Sequence, residues 1–257
     1  MTTSTCIAVA QAISLGSHEP DHVARNARHH ARIAIRAADE GAALVVFPEL
    51  SLSCYGYVTP ADAVLPDDAR FAPIRAVARE RGIEIIAGAP VLSDAGLHIG
   101  AFAFHPDGTS TTHTKQYVAH DEERAYVPGR AQVPFALGAE RIGVAICADV
   151  STPAHAEAAA TGGATVYVAG SLISPDDEGR YPAKLRRHAM NHHMLTLFAN
   201  YANDTAMYPT NGCSAIWSPD GDQLACAPES GEALVLAARE PGGAWTARVV
   251  VLESAIV

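Results

Sequence analysis

Three side chains are of the types that nucleophilic acyl chemistry needs. Cys147 ends the apolar run "RIGVAIC", Lys115 sits in "TTHTKQYV", and Glu49 follows "VVFP". A cysteine attacks as its thiolate, and a free thiol is mostly protonated near pH 7, so it needs a base or a cation beside it. Glu49 lies two residues beyond Phe47, at the C-terminal end of an apolar run. There it enters a partly apolar pocket, where loss of water lifts a carboxyl toward the range useful to a general base. Lys115 offers an ammonium to stabilise an oxyanion or hold a thiolate. Each residue also has a plainer reading: a small core cysteine, a solvated loop glutamate, a lysine on the wet face of a strand. Together they supply nucleophile, base and cation, each near the end of its own strand.

The elements that must position them alternate in type. "CIAVAQA" reads as a strand. Residues 21–40 read as a helix, with Val23, Ala27, Ala31, Ala34 and Ala38 at three- or four-residue spacing and Gly41 as the stop. "ALVVF" (43–47) is a buried strand, 71–82 a helix ended by Gly82, and "IEIIAG" (83–88) the next strand. A hairpin follows around Pro106-Asp107-Gly108, where Asp and Gly supply the turn. The order then repeats: "RIGVAIC", the helix "PAHAEAAATGG", "TVYVAG", the helix "GRYPAKLRRHAMNHHM", "LTLFAN", and a second hairpin around Pro219-Asp220-Gly221. Two such α/β halves facing each other would give a four-layer α-β-β-α sandwich.

Composition narrows the function classes. The chain has 257 residues, 49% hydrophobic and 18% charged, with a formal net charge of −10. The composition is that of a folded globular chain, read here as a single domain over 1–257. The acidity argues against nucleic acid or anionic membrane as the main partner. No apolar run approaches the roughly 18–20 residues of a membrane helix. The N-terminus lacks a basic region and reads as a first strand, not a signal peptide. Five cysteines with no CxxC pair suggest neither a disulfide framework nor a cysteine zinc site, so a reduced, cytoplasmic setting is expected.

The chain resembles the nitrilase, or carbon–nitrogen hydrolase, superfamily. The residues carrying the resemblance are "VVFPELSLSCYGY" (45–57), "PDGTSTTHTKQYV" (106–118), "DEERAYVPG" (121–129), "RIGVAICADVSTP" (141–153) and "LFANYAND…NGCSAIWSPDGDQLA" (197–225). They run from about residue 6 to about residue 238. The resemblance implies a four-layer sandwich and a Glu–Lys–Cys triad, here Glu49, Lys115 and Cys147. It implies a second glutamate after the lysine, and counting back from the glycine of the Pro-Gly pair lands on Glu122, with Glu123 its open alternative. Glu122's implied role is to position Lys115 and the leaving or entering group. The backbone N–H of Ala148 is the implied second oxyanion donor, and Tyr55 falls in a segment near the pocket. Asp149 reads as a loop stabiliser; Cys54, Cys213 and Cys226 read as structural. The implied activity is hydrolysis of a small linear amide, of the amidase, ω-amide or N-carbamoyl type. No metal or organic cofactor is implied, and relatives are homo-oligomers, so a homodimer or higher assembly is expected.

The pattern departs in places. Where many relatives carry arginine and phenylalanine before the proline, this chain has Val150, Ser151 and Thr152, then Pro153 and Ala154. That removes the arginine behind the carboxylate preference of several subfamilies. A helix motif loses its glutamate to Met190, and a usual asparagine is replaced by the His98–Gly100 region. Twelve histidines include His188 and His192, four apart on a helix, with His29, His30 and His193 besides. With no H-E-x-x-H and no carboxylate in register, they read as surface or interface residues. Three alternatives stand beside the amidase reading: a nitrile-cleaving enzyme, a catalytically silent binding module, and a thiol redox sensor pairing Cys54 with Cys147.

Overall fold

A computed structural model describes residues 4–16, 19, 21–56, 62–177, 179–205 and 207–253. Tyr57, the last residue of the first motif, lies outside them. In chain order the elements are β1 (Thr5–Gln11), α1 (His22–Asp39), β2 (Leu44–Val46), α2 (Ala72–Arg81), β3 (Glu84–Ser93), β4 (Gly96–Phe104) and β5 (Ser110–Thr114). Next come β6 (Phe135–Leu137), β7 (Glu140–Ile146), α3 (Pro153–Thr161), β8 (Val166–Gly170), α4 (Arg180–His192), β9 (Leu195–Ala199), β10 (Ala215–Trp217) and β11 (Gln223–Cys226). Two last strands, β12 (Ala233–Arg239) and β13 (Thr246–Val251), follow.

The strands form two mixed sheets. One has the order β13-β12-β1-β2-β3-β4-β5, the other β11-β10-β9-β8-β7-β6. In each, three central strands run parallel: β1, β2 and β3, then β7, β8 and β9. Parallel neighbours need a crossover, which the helices provide.

Period-two alternation sends each strand's side chains to two different cores. Ile7 and Val9 of β1 join Leu44, Val46, Val166, Val168 and Leu197 in a core between the sheets. Their neighbours Ala8 and Ala10 pack outward with Val23, Ala27, Ala34 and Ile74 of α1 and α2. Ala145, Tyr167 and Ala169 of the second sheet pack outward with Ala156, Leu185 and Ala189 of α3 and α4. Three cores separate four layers, the α-β-β-α sandwich of the sequence reading. The strand–helix repeat holds through both halves. Its last two strands return to the first sheet, where β12 pairs antiparallel with β1 from Thr5↔Arg239 to Gln11↔Ala233.

Candidate active site

Sites in open α/β sheets gather beyond the carboxyl ends of the parallel strands. Glu49 leaves β2 through Phe47 and Pro48 along a segment that touches both sheets. A Cβ on Gly88 of β3 would come within 2.5 Å of the Leu50 nitrogen, and one on Gly170 of β8 within 2.5 Å of the Phe47 carbonyl oxygen. Glycine is the residue that lets backbone pass this close. Tyr201 then fixes the segment, its hydroxyl donating to the Glu49 carbonyl at 2.6 Å.

Lys115 is the first residue after β5. Its N–H donates to the Ile99 carbonyl at 2.9 Å and its carbonyl accepts from Gly129 at 2.6 Å, so the backbone is held on both sides. The side chain is fully buried. Its Nζ donates to Glu49 Oε1 at 2.7 Å and to Glu122 Oε1 and Oε2 at 2.7 and 2.6 Å. Of the two adjacent glutamates, Glu122 is the buried one, and its carboxylate also accepts from the Ala119 N–H and, at 2.5 Å, from the Tyr55 hydroxyl. Glu123 is exposed and faces His120.

Cys147 ends β7 and begins a short 3-10 turn, Cys147–Ser151. Its φ of 42° is left-handed, a conformation that disfavours any residue with a Cβ by roughly 1–2 kcal/mol. Such backbone recurs where a side chain must be aimed. The Sγ lies 3.8 Å from the Leu172 carbonyl, and the Cys147 carbonyl accepts from Tyr181. Ala148 follows in the first turn, where backbone N–H groups have no partner within the helix.

Asp149 joins the two halves of the site. Its Oδ1 accepts from the N–H groups of Gln116 and Tyr117 at 3.0 and 2.9 Å, and its Oδ2 from Ile146 at 3.0 Å. One carboxylate thus grips the chain just after Lys115 and just before Cys147.

Glu49, Glu122, Cys147, Ala148 and Tyr55 line one cleft of about 230 Å³, with Lys115 beneath its floor. A larger cavity, of about 390 Å³, lies between α1 and the end of β13 and holds none of these residues. Cys54 is buried elsewhere, against the Ser14 carbonyl.

Burial pushes the Glu49 carboxyl up to about 7; the Lys115 ammonium pulls against that rise and the Glu122 carboxylate adds to it. Glu49 Oε2 has no hydrogen bond of ordinary geometry, and after Lys115 the Cys147 thiol also favours the charged form of the carboxylate. Burial works against the Lys115 ammonium, but Glu49, Cys147 and Glu122 outweigh it and hold the lysine above its ordinary range. Burial and the Glu49 charge hold the Cys147 thiol high, with Lys115 opposing them. The resting sulfur is therefore protonated, beside a carboxyl that titrates near neutrality.

Sequence reasoning missed several lining residues, among them Tyr181, Lys184 and Tyr208. Tyr208 falls in the unquoted part of the 197–225 motif, and Tyr181 and Lys184, outside every motif, enter from α4. The turn after Cys147 carries no arginine, yet Lys184 Nζ donates to Ser151 Oγ at 2.9 Å.

Two of the five histidines differ from the surface reading, while His29 and His192 are half-buried and His193 is exposed. His188 is buried, its Nε2 donating to the Val150 carbonyl at 2.8 Å. His30 is buried, stacked on Phe47 at 4.2 Å, and burial lowers its pKa to about 3. Both face inward because α1 and α4 present those positions to their sheets. Among the described residues, no three His, Cys, Asp or Glu side chains converge as metal ligands. None of the described helices is long and apolar enough to cross a membrane.

Comparison with known proteins bears on the whole arrangement. The carbon–nitrogen hydrolase family model matches residues 6–247. A nitrilase of Pyrococcus abyssi is 27% identical over 221 residues, covering 83% of this chain and 82% of its own. An amidase from Nesterenkonia sp., solved as a double mutant with acrylamide, shares the fold with a TM-score of 0.80 at 24% identity, over 93% of this chain and 91% of that one. A Saccharomyces cerevisiae protein of branch 10 of the nitrilase superfamily gives 0.81 at 22% identity, with the same coverage. With a family match over nearly its full length, the chain belongs to the carbon–nitrogen hydrolase family, within the nitrilase superfamily.

Proposed function

We propose that the protein hydrolyses the C–N bond of a small linear amide through a thioester on Cys147. The observation that carries this reading is the buried Lys115 ammonium, bound by both Glu49 and Glu122 at the floor of the cleft that Cys147 lines. Glu49 takes the thiol proton as the sulfur attacks the amide carbon, so an S–C bond forms and the carbonyl π electrons move to oxygen. The Lys115 ammonium and the Ala148 N–H stabilise that oxyanion; one such donor is typically worth about a hundred- to a thousandfold in rate. Protonated Glu49 returns the proton to nitrogen, the C–N bond breaks and ammonia leaves. Glu49 then deprotonates a water, which adds to the thioester carbon. The C–S bond breaks, and the sulfur recovers its proton as the acid departs. Glu122 holds Lys115 in place and, with Tyr55, borders the path of the leaving group.

The test is ammonia release across a panel of amides, joined to mass spectrometry of the quenched protein. The expected result is an acyl adduct on Cys147 and no turnover by Cys147→Ala. An adduct on another cysteine, or full activity in that variant, would sink the reading. The same panel takes in nitriles, since one relative is a nitrilase; an acid product from a nitrile but from none of the amides would shift the substrate class.

A further inference from the structure

Two side chains from different elements hold the backbone on either side of the nucleophile. Asp149 Oδ2 accepts from the Ile146 N–H at 3.0 Å, one residue before Cys147. Tyr181, in the first turn of α4, donates its hydroxyl proton to the Cys147 carbonyl at 3.1 Å. The same hydroxyl lies 2.5 Å from Ser171 Oγ. A phenol has one proton and a carbonyl can only accept, so Ser171 is the donor in that second bond. Ser171 follows β8 and is buried, its own N–H donating to the Ala199 carbonyl at 3.0 Å. The Tyr181 ring is buried too, with its centroid 5.3 Å from that of Phe198 of β9. Burial holds the phenol well above its ordinary range, and Cys147 adds to the rise, so the hydroxyl keeps the proton it donates.

We infer that Tyr181 is the positioning residue that aims the Ala148 N–H at the oxyanion. This deepens the amide-hydrolase reading of the same cleft and rests on it. The Cys147 carbonyl and the Ala148 N–H belong to one peptide plane, and in a trans peptide they point in opposite directions. A grip on the oxygen therefore fixes where the hydrogen points. That plane needs fixing, because Cys147 holds a φ of 42°, a conformation disfavoured for any residue with a Cβ. The Ala148 N–H has no partner within its own turn to hold it. Ala148 and Tyr181 line the same cleft. A donor stabilises charge in the transition state best when it is aimed beforehand at the place where that charge develops. The Tyr181 hydroxyl is committed to the backbone and to Ser171, so it acts through the peptide and not on the substrate. Without it, the Cys147–Ala148 plane can rotate, while Asp149 still holds the chain at Ile146 and Sγ keeps its place 3.8 Å from the Leu172 carbonyl. The thiol and its base are then undisturbed, and the charge on oxygen loses a partner.

The experiment takes propanamide as substrate and propanal as probe. Propanal adds reversibly to a thiol: an S–C bond forms, the carbonyl π electrons move to oxygen, and the thiol proton ends on that oxygen. The adduct places its oxygen before the same donors without any C–N cleavage. Tyr181→Phe removes one oxygen and keeps the ring. Its kcat is expected to fall about ten- to a hundredfold, with KM changed less than about twofold. Propanal should bind Cys147 more weakly by about the factor that kcat loses. Iodoacetamide alkylates the same sulfur by displacing iodide and builds no charge on a carbonyl oxygen, so its labelling rate should stay within about twofold. An unchanged kcat in Tyr181→Phe, a loss confined to KM, or labelling that falls in step with kcat overturns the inference while leaving amide hydrolysis standing. Ser171→Ala loosens the hydroxyl and keeps the tyrosine, and the same pattern is expected there at about three- to tenfold. No loss in Ser171→Ala overturns the inference if Tyr181→Phe does not fold. If propanamide is not hydrolysed, propanal alone judges: equal affinity in the wild type and Tyr181→Phe, or none in the wild type, overturns the positioning role. The hydrolase reading itself fails only if no amide of the panel is hydrolysed.

Discussion

Glu49 and Cys147 are neighbours that each hold a proton more tightly than usual. Burial raises both groups, and the carboxyl ends near 7 in place of its ordinary 4.5. The sign follows: the base form is lost as pH falls through about 7. An ordinary glutamate would keep it for two more units. The free enzyme's kcat/KM should therefore fall about tenfold per pH unit below that value. In Glu49→Gln the acid limb should vanish, with kcat reduced about a hundred- to ten-thousandfold. A pH–rate profile on both proteins checks this; an unchanged limb in the variant would assign the titration to another group. At this scale the sequence was informative about residue types. Glu49, Lys115 and Cys147 stood out because each combines a reactive group with a strand end. Lys184 did not, because a lysine on an amphipathic helix is indistinguishable by pattern from a solvated one, and only the packing of α4 against the turn brings it to Ser151.

Among the elements, the most demanding passage is that of residues 47–50 between β3 and β8. Adding one methyl to Gly170 would set it 2.5 Å from the Phe47 carbonyl and 3.3 Å from the Glu49 nitrogen. Both contacts are backbone, which moves only as a segment. Gly170→Ala should shift Glu49 away from the sulfur, lowering kcat at least tenfold while changing thermal stability by about 1–3 kcal/mol. Slower iodoacetamide labelling of Cys147 together with the loss of kcat checks it; full activity would mean the segment yields without moving the carboxylate. The helices and the two Pro-Asp-Gly hairpins were readable because periodicity and turn chemistry mark them locally. β6, β12 and β13 were not: the first has three residues, β12 is placed by pairing with β1 at the other end of the chain, and β13 only adds to the edge that β12 makes.

Across the whole molecule, the two sheets are tied outside their shared core as well. Glu140 of β7 is buried and accepts from Arg239 of β12 at 2.9 Å and from Thr165 at 2.6 Å. Arg239 also lies over the Trp245 ring. Arg239→Met keeps the aliphatic stem and leaves the Glu140 charge without its cation, so the fold should lose about 1.5–3 kcal/mol. A urea midpoint lowered with an unchanged slope is the expected signature. The duplicated strand–helix order made the layered architecture legible. The return of the chain to the first sheet was not, since no local signal says which edge a late strand will join.

The sulfur follows a strand of one sheet, Glu49 and Lys115 follow strands of the other, and Asp149 is the tether across them. On the proposed mechanism, reactivity would therefore depend on how far apart two slabs of side chains stand. Swelling or thinning the seam of Ile, Val and Leu between them would detune proton transfer, though every polar group kept its identity.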